Sequence, residues 1–485
     1  VEIDQFLKFE TELCLFDDEI SDIKYWHLIR KKIYDEIKRK KEDIDLAHRV
    51  SKNNSLISRG LKKIKQVPSV LTKSPVNLKE KDILVLNHHR RLKMGDYYEC
   101  LYTDDLLTNL ELTYYVIEDP MVDVHLKPAV TKNLKYTDVI HNKYVIRWMF
   151  HKLLNKKVIS QVEREKIRNL VDKLNSFFDV DFENQYILTL VEKVIIKYRL
   201  FYTYYNNIIK KVNPKIIIEV VSYDFSRFVI NNIAKKNGIP TIELQHGTMG
   251  KYHVAYNFAK EIKDISTFPD YIFLFGQFWK DQTRFPISDS KIKVVGWPFY
   301  EQKVNSYKNN KNERYRNKEV ILFISQGHIG KHLSKIAVEL SRKIDLKKYE
   351  MIYKLHPGEY ARWREDYPWL VSSDMQIIDT NTYDMHYFFA NADIQVGVSS
   401  TAVFEGIGYG LKTIVCKLPT HEYLEELFMN KLAYLVRDAD ELLQYIEAGL
   451  RPIFSDMNYF WNGKSIDNIK KNIKEIIDAK EKIQC

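Results

Sequence analysis

The residues of this sequence best suited to chemistry stand at the ends of apolar runs. Ala392 to Val415 reads as a buried strand, a Ser399-Ser400-Thr401 turn, a helix carrying Glu405, and a second buried strand. Apolar runs of strand length around a helical pattern mark a βαβ unit of a parallel sheet. The helix opens on three hydroxyls, so its free N–H groups and positive dipole end face whatever lies beyond the strand ends. That is the outline of a phosphate site. Ser400 and Thr401 would bind the phosphate and Glu405 a ribose hydroxyl or a protonated group; a hydroxyl N-cap with no ligand is the structural alternative.

Other groups stand at comparable ends. Lys354-Leu-His356-Pro357 closes an apolar run, and the proline restricts the backbone of His356 to extended conformations, which fixes the direction of its imidazole. Ser325-Gln326-Gly327-His-Ile-Gly330 lies between a strand and a helix, where glycine permits close backbone approach to an anion. Gln245-His246-Gly247 ends a strand in the first half, and its imidazole suits a general base or a donor-binding group. Asp224, after Val220-Val-Ser-Tyr223, suits deprotonation of a sugar hydroxyl, with a helix N-cap as the alternative. His88-His89-Arg90-Arg91 puts basic groups at the end of the first strand, suited to an anionic acceptor or donor; surface charge is the alternative.

These groups need a scaffold. The sequence predicts strands at Asp82–Asn87, Leu112–Ile117, Lys215–Val221, Thr241–Leu244, Tyr271–Phe275 and Ile292–Val295, with a helical hairpin inserted at about 144–212. A helix from Ser226 to Lys236 is closed by Gly238 and Pro240. Residues 302–318 are polar, charged and aperiodic, so the linker is placed at 301–318. Strand–helix alternation resumes from Val320. The expected organisation is a basic helical extension (1–75), a Rossmann-like domain (76–300), a second Rossmann-like domain (319–464) and a final helix (465–485). In such sheets ligands sit outside the carboxyl ends of the strands.

A chain of 485 residues is too long for one core. Its composition, 45% hydrophobic and 29% charged, is that of a folded protein, and no uninterrupted apolar run reaches the ~18 residues of a membrane span. No signal-peptide pattern is present, and the sequence starts at Val1. Cys14, Cys100, Cys416 and Cys485 lack metal-ligand spacing, which suits a reducing cytoplasm and no zinc. The net charge of +10 comes without a nucleic-acid-binding motif. An anionic membrane surface or polyanionic glycan fits better, with the amphipathic segment Leu56–Leu71 as the contact; a helix packed on its own protein and a merely solvated basic surface are the alternatives.

Taken together, Gln245-His-Gly, Gly296-Trp-Pro, Lys354-Leu-His-Pro and Ser399-Ser-Thr-Ala-Val-Phe-Glu405 resemble the GT-B glycosyltransferases of bacterial capsule and cell-wall synthesis. The similarity spans roughly residues 215–430 and includes capsular Kdo transferases, sialyltransferases with a His-Pro motif and CDP-glycerol glycerophosphotransferases. It implies an α/β fold of two Rossmann-like domains facing a central cleft, with His356, Ser399, Ser400 and Thr401 on the nucleotide's phosphate and ribose. Asp224 or His246 would be the base. The glycerophosphotransferase pattern has Trp before His-Gly and Asp-Tyr before Ser-Ser, where this sequence has Gln245 and Gly397-Val398. Many retaining transferases carry an acid where Val398 stands, seven residues before Glu405. The expectation is therefore inverting, metal-independent transfer of a sugar, such as a CMP-linked acidic sugar, to a surface glycan or lipid-linked glycan. The enzyme would need no cofactor and would work in the cytoplasm, peripheral on the inner face of the plasma membrane. A CDP-polyol phosphotransferase, a nucleotide-sugar epimerase and a non-enzymatic glycan- or membrane-binding scaffold remain alternatives.

Overall fold

Most of the apolar runs become strands of two separate parallel sheets. The computed structural model describes residues 2–42, 68–88, 91–120, 124–154, 158–307, 311–449 and 457–484. These fall into two units. The first comprises Val1–Leu274, Gln282–Val295 and Ile466–Cys485, and the second Phe275–Asp281 and Gly296–Ser465.

In the first unit, β1 (Ile83–Leu86), β2 (Tyr114–Glu118), β3 (Leu134–Tyr136), β4 (Ile216–Val220), β5 (Thr241–Leu244), β6 (Tyr271–Leu274) and β7 (Ile292–Val294) form one sheet. Its order among the described residues is β7-β6-β5-β4-β1-β2-β3. All pairings are parallel, with Ile83 opposite Ile216 and Ile218 opposite Ile242. Helices cover both faces, which is why β1 and β4 read as nearly unbroken Ile/Leu/Val.

The inserted helical region starts earlier than predicted and, among the described residues, has three helices, Asp138–Leu153, Gln161–Phe178 and Asn184–Val212. Ser160 and Glu163 form a reciprocal capping box at the second. Asn213, left-handed, closes the third.

Residues 2–42 are integral to this unit rather than an appendage. Helices Ile3–Glu12 and Trp26–Glu42 place Phe6, Trp26 and Ile33 in one core with Ile167, Leu174 and Ile195. Glu10 and Arg30 form a buried ion pair at 2.7 Å. Residues 43–67, which hold most of the predicted membrane-binding segment, lie outside the described residues. The final helix, Ser465–Gln484, contributes Ile469, Ile473, Ile476 and Ile477 to a core with β1, β4 and β5.

The second unit holds β8 (Glu319–Ile324), β9 (Tyr349–Lys354), β10 (Gln376–Ile378), β11 (Ile394–Gly397), β12 (Lys412–Cys416) and β13 (Tyr434–Val436). They run parallel in the order β10-β9-β8-β11-β12-β13. Counted within each unit, both sheets follow 3-2-1-4-5-6, the doubly wound dinucleotide-fold order, with β7 added at the first unit's edge. The chain is thus α/β with two Rossmann-like domains.

The division between units does not fall at 301–318. Residues 298–307 form a helix, Pro298–Tyr307, and Lys311 pairs with Asp393 at 2.8 Å, both within unit 2. The polarity of that stretch reflects a surface position.

Candidate functional site

In a doubly wound sheet the loops leaving strands 1 and 4 turn in opposite directions, and the crevice they leave is where ligands bind. In unit 2 those strands are β8 and β11, paired from Ile321–Ile394 to Phe323–Val396. The loops that follow them meet there. The side-chain oxygen of Gln326 accepts from both the amide and the hydroxyl of Ser399, each at 3.2 Å. Ser399 Oγ lies 2.7 Å from Thr420 Oγ1, and His328 Nε2 lies 3.1 Å from the same hydroxyl. Thr420, after β12, has φ of 75°, which is unusual for a β-branched residue and marks local strain. Sequence reading missed Thr420 and His328. Ser400 is the N-cap of helix Thr401–Ile407, accepting from the Ala402 amide at 3.2 Å. Gly327 is exposed, and the space a side chain would take is open.

His356 and Pro357 follow β9. Glu359 accepts from the His356 amide at 2.7 Å, the Ser325 hydroxyl at 3.0 Å and the Tyr367 hydroxyl at 2.8 Å. Burial nevertheless raises its pKa. The Gly358 amide donates to His356 Nδ1 at 3.1 Å. In the neutral ring that puts the proton on Nε2, a tautomer assigned from the donors around it. Pro357 itself is exposed. A Cβ on Gly330 would collide with the Glu359 carboxylate and the Tyr367 hydroxyl, so a side chain there would have to displace both.

Aromatic packing fixes the helix bearing Ser400 and Glu405. Trp461 Nε1 donates to the Phe404 carbonyl at 2.9 Å and the Tyr300 hydroxyl to the Glu405 carbonyl at 2.8 Å. Tyr300 stacks on Trp461 at 4.1 Å, and Trp297 on Phe275 at 4.8 Å. The Gly296-Trp-Pro motif is therefore scaffolding for the helix. The Glu405 carboxylate lies 3.6 Å from His386 Nε2. Burial lowers the pKa of that histidine to about 4, against the pull of Asp384.

In unit 1 the strands flanking the reversal are β1 and β4. After β4, Val221 has φ of 65°, a strained conformation for valine, and opens a tight turn in which the Asp224 amide donates to its carbonyl at 3.0 Å. Asp224 is the N-cap residue of helix Phe225–Lys236, but its side chain makes no capping hydrogen bond.

His246 follows β5 within an aromatic and acidic cluster. Tyr223 OH lies 3.2 Å from Nε2, Tyr256 OH 3.5 Å from Nδ1, and the Tyr102 hydroxyl donates to the His246 carbonyl at 2.7 Å. The Tyr256 hydroxyl and the Ser222 amide both donate to Glu243. Tyr256 is thereby an acceptor toward Nδ1–H, which leaves the Nε2 lone pair facing the Tyr223 hydroxyl. Burial, with His253 adding to it, lowers the His246 pKa to about 3 and keeps the ring neutral. Burial raises the Glu243 carboxyl to about 7. The ring of His88 stacks near that of His246 at 6.2 Å, and the Lys31 ammonium lies 6.0 Å from the Tyr223 ring.

Tyr102, Glu243, His253 and Tyr256 are further members of this site that the sequence reading did not name, and Tyr223, read only as the flank of Asp224, is another. A usable signal existed: a carboxylate in the otherwise apolar strands IIIEV and TIEL is costly unless it serves a purpose.

Arg91 does not belong with the anion-binding set. Its side chain is fully buried and donates to Glu118 at 2.5 and 2.9 Å and to Thr131 at 2.7 Å. Its charge is therefore satisfied within the fold. His89 and Arg90 lie outside the described residues. Among the described residues no group of three or more His, Cys, Asp or Glu could hold a metal ion, and no helix is long and apolar enough to cross a membrane.

No protein-family model matches this chain, and no curated protein matches it. Solved structures do. The UDP-GlcNAc 2-epimerase of Methanocaldococcus jannaschii is similar over 81% of this chain and 99% of its own, at 15% identity and TM-score 0.48. The Neisseria meningitidis enzyme, solved with UDP-GlcNAc, covers 81% and 99% at 13% identity and TM-score 0.46. The wall teichoic acid polymerase TagF covers 87% and 91% at 12% identity and TM-score 0.41. Likeness at this level assigns no activity.

Proposed function

We propose that the chain is a GT-B-type glycosyltransferase that moves a sugar from a nucleotide-activated donor to a bacterial surface glycan, with inversion and without a metal. The observation that carries this reading is the set of polar groups gathered where unit 2 reverses its strand order: Gln326, His328, Ser399 and Thr420 joined by hydrogen bonds. His356, held by Glu359 and Gly358, leads from the neighbouring strand. Hydroxyls, amides and an Nε2–H donor suit a departing nucleoside diphosphate or monophosphate. The unit 1 cluster supplies the base, His246 or Asp224, for the acceptor hydroxyl. The His-Pro and Ser-rich motifs favour a CMP-linked acidic sugar such as Kdo or sialic acid as donor. The acceptor is a glycan or lipid-linked glycan presented at the inner membrane face.

A thermal-shift series with CMP, CDP, UDP and GDP tests the donor class. A ligand that binds only the folded protein at a hundred times its Kd stabilises it by about 2.7 kcal/mol. His356→Ala is expected to weaken the preferred nucleotide by about 1.5–3 kcal/mol, the worth of one charge-assisted hydrogen bond. Unchanged affinity would place the nucleotide elsewhere. Turnover is expected to survive excess EDTA, and complete loss restored by Mg²⁺ or Mn²⁺ would refute metal independence. Conversion of a nucleotide sugar without any acceptor would identify an epimerase instead. Transfer of a polyol phosphate from a CDP donor would identify a phosphotransferase.

A further inference from the structure

One helix of unit 1 carries a run of large apolar side chains exposed to solvent. Helix Asp138–Leu153 buries Ile140 alone in full. On its outer side Val145, Ile146, Met149, Phe150 and Leu153 are 53%, 53%, 64%, 56% and 78% exposed. Their spacing of one, three and four residues puts them on one continuous stripe. Single exposed apolar residues are ordinary, but five on one face of one helix are not.

What borders the stripe identifies its occupant. Lys143, Arg147 and Lys152 are exposed and flank it, whereas the helix's one carboxylate, Asp138, lies at its start and bonds His125 at 2.8 Å. Trp148 stands between, with Lys152 and Lys193 ammonium groups 5.7 and 5.4 Å from its ring. Large apolar side chains edged by basic ones are the pattern of a helix lying in a membrane interface, its apolar side among acyl chains and its cations at anionic headgroups. A protein partner would have to match three cations around an apolar strip; an anionic lipid surface does so without design.

We propose that helix Asp138–Leu153 docks unit 1 onto an anionic membrane surface through Val145, Ile146, Met149, Phe150 and Leu153. This surface is distinct from the basic segment near residues 56–71 and does not depend on the assignment of donor or base.

Vesicle co-sedimentation of the full chain tests it, using phosphatidylcholine alone and phosphatidylcholine mixed with phosphatidylglycerol. Wild type is expected to favour the anionic vesicles. The Met149→Ser/Phe150→Ser/Leu153→Ser variant, with residues 56–71 intact, is expected to partition at least about a hundredfold more weakly, since loss of each inserted large side chain counts for roughly tenfold. Lys143→Glu/Arg147→Glu/Lys152→Glu is expected to lose the preference for anionic lipid. All substituted positions are exposed, so thermal melting and the nucleotide-induced shift of both variants should match wild type. That match keeps a failure of this proposal separate from a failure of the catalytic reading. Undiminished vesicle binding by the serine variant would overturn the proposal. So would a vesicle-free wild-type oligomer that the serine variant turns into monomers, because the stripe would then join copies of the chain.

Discussion

Arg30→Ala is expected to destabilise unit 1 by about 3–5 kcal/mol, the cost of leaving one member of a buried ion pair unpaired. Both side chains are 1% exposed, so water cannot take the missing partner's place. Arg30 donates to Glu10 through Nε at 2.7 Å and Nη2 at 2.8 Å, and Trp26 Nε1 adds a third bond at 2.6 Å. The guanidinium also donates to the carbonyls of Val254 and Asn257 and lies 4.3 Å from the Phe258 ring. Urea unfolding would measure the loss. The double variant Glu10→Leu/Arg30→Met should recover part of it, because the stranded charge is gone, but not all, because two buried carbonyls still lose a donor. A cost below about 1 kcal/mol for Arg30→Ala would show that the pair contributes no more than a surface one. The expected effect reaches the site as well. Val254 and Asn257 lie in the segment that carries His246, His253 and Tyr256, so slackening it should reduce turnover even under conditions where the variant stays folded.

His246→Ala should slow transfer by about 10²–10⁴-fold, the usual contribution of a general base. Its ring is neutral, with Nε2 left as the accepting nitrogen by the Tyr256–Glu243 arrangement on its other side. Glu243, whose carboxyl burial raises to about 7, lies 3.8 Å from Nδ1, and its ionised form favours the imidazolium as it forms. Asp224→Asn discriminates between the two candidates. If Asp224 is the base, this variant shows the 10²–10⁴-fold loss with nucleotide affinity nearly unchanged, and His246→Ala weakens donor binding as well as rate. If His246 is the base, Asp224→Asn stays near wild type. Should neither substitution slow transfer tenfold, neither group is the base. A Tyr256→Phe variant adds a readout that simple packing would not move: losing the hydroxyl between Nδ1 and Glu243 should alter the pH profile of kcat while leaving the ring in place.

How far the residues themselves disclosed this arrangement depended on length and repetition. β1 announced itself as an unbroken apolar run, and β4, β5 and β9 as apolar runs interrupted by Glu219, Glu243 and Glu350, whereas β3, three residues of which one is Lys135, had no run to read. Strand order was hidden in the sequence because it depends on pairing between distant segments. The shared 3-2-1-4-5-6 winding emerged only in three dimensions. Ser399 and Gln326 were legible from their positions after strands, but nothing local marks Thr420, whose left-handed backbone is imposed by its surroundings. Arg91 read as an anion-binding cation because its partners Glu118 and Thr131 lie 27 and 40 residues away. The place of residues 2–42 was concealed likewise: a charged helical stretch reads as an extension until Glu10 and Arg30 are seen buried against each other. The polar tract after Gln302 resembled a connection because a surface helix and a linker share their composition.

Helix Ser465–Gln484 has a consequence for how the protein is made. One side of the unit 1 sheet keeps Ile83, Val85, Ile216 and Ile218 in a core that Ile469, Ile473, Ile476 and Ile477 help to complete. Those isoleucines leave the ribosome only after Gly296–Ser465 has been synthesised, which takes roughly ten to thirty seconds at bacterial or eukaryotic elongation rates. Throughout that interval unit 1 is a nascent chain with part of a greasy sheet face uncovered, while unit 2, contiguous apart from its short Phe275–Asp281 piece, already has nearly all it needs to close. The later-encoded unit is thus the first able to finish, and the earlier one waits, exposed to chaperones and to aggregation, for a helix translated after it.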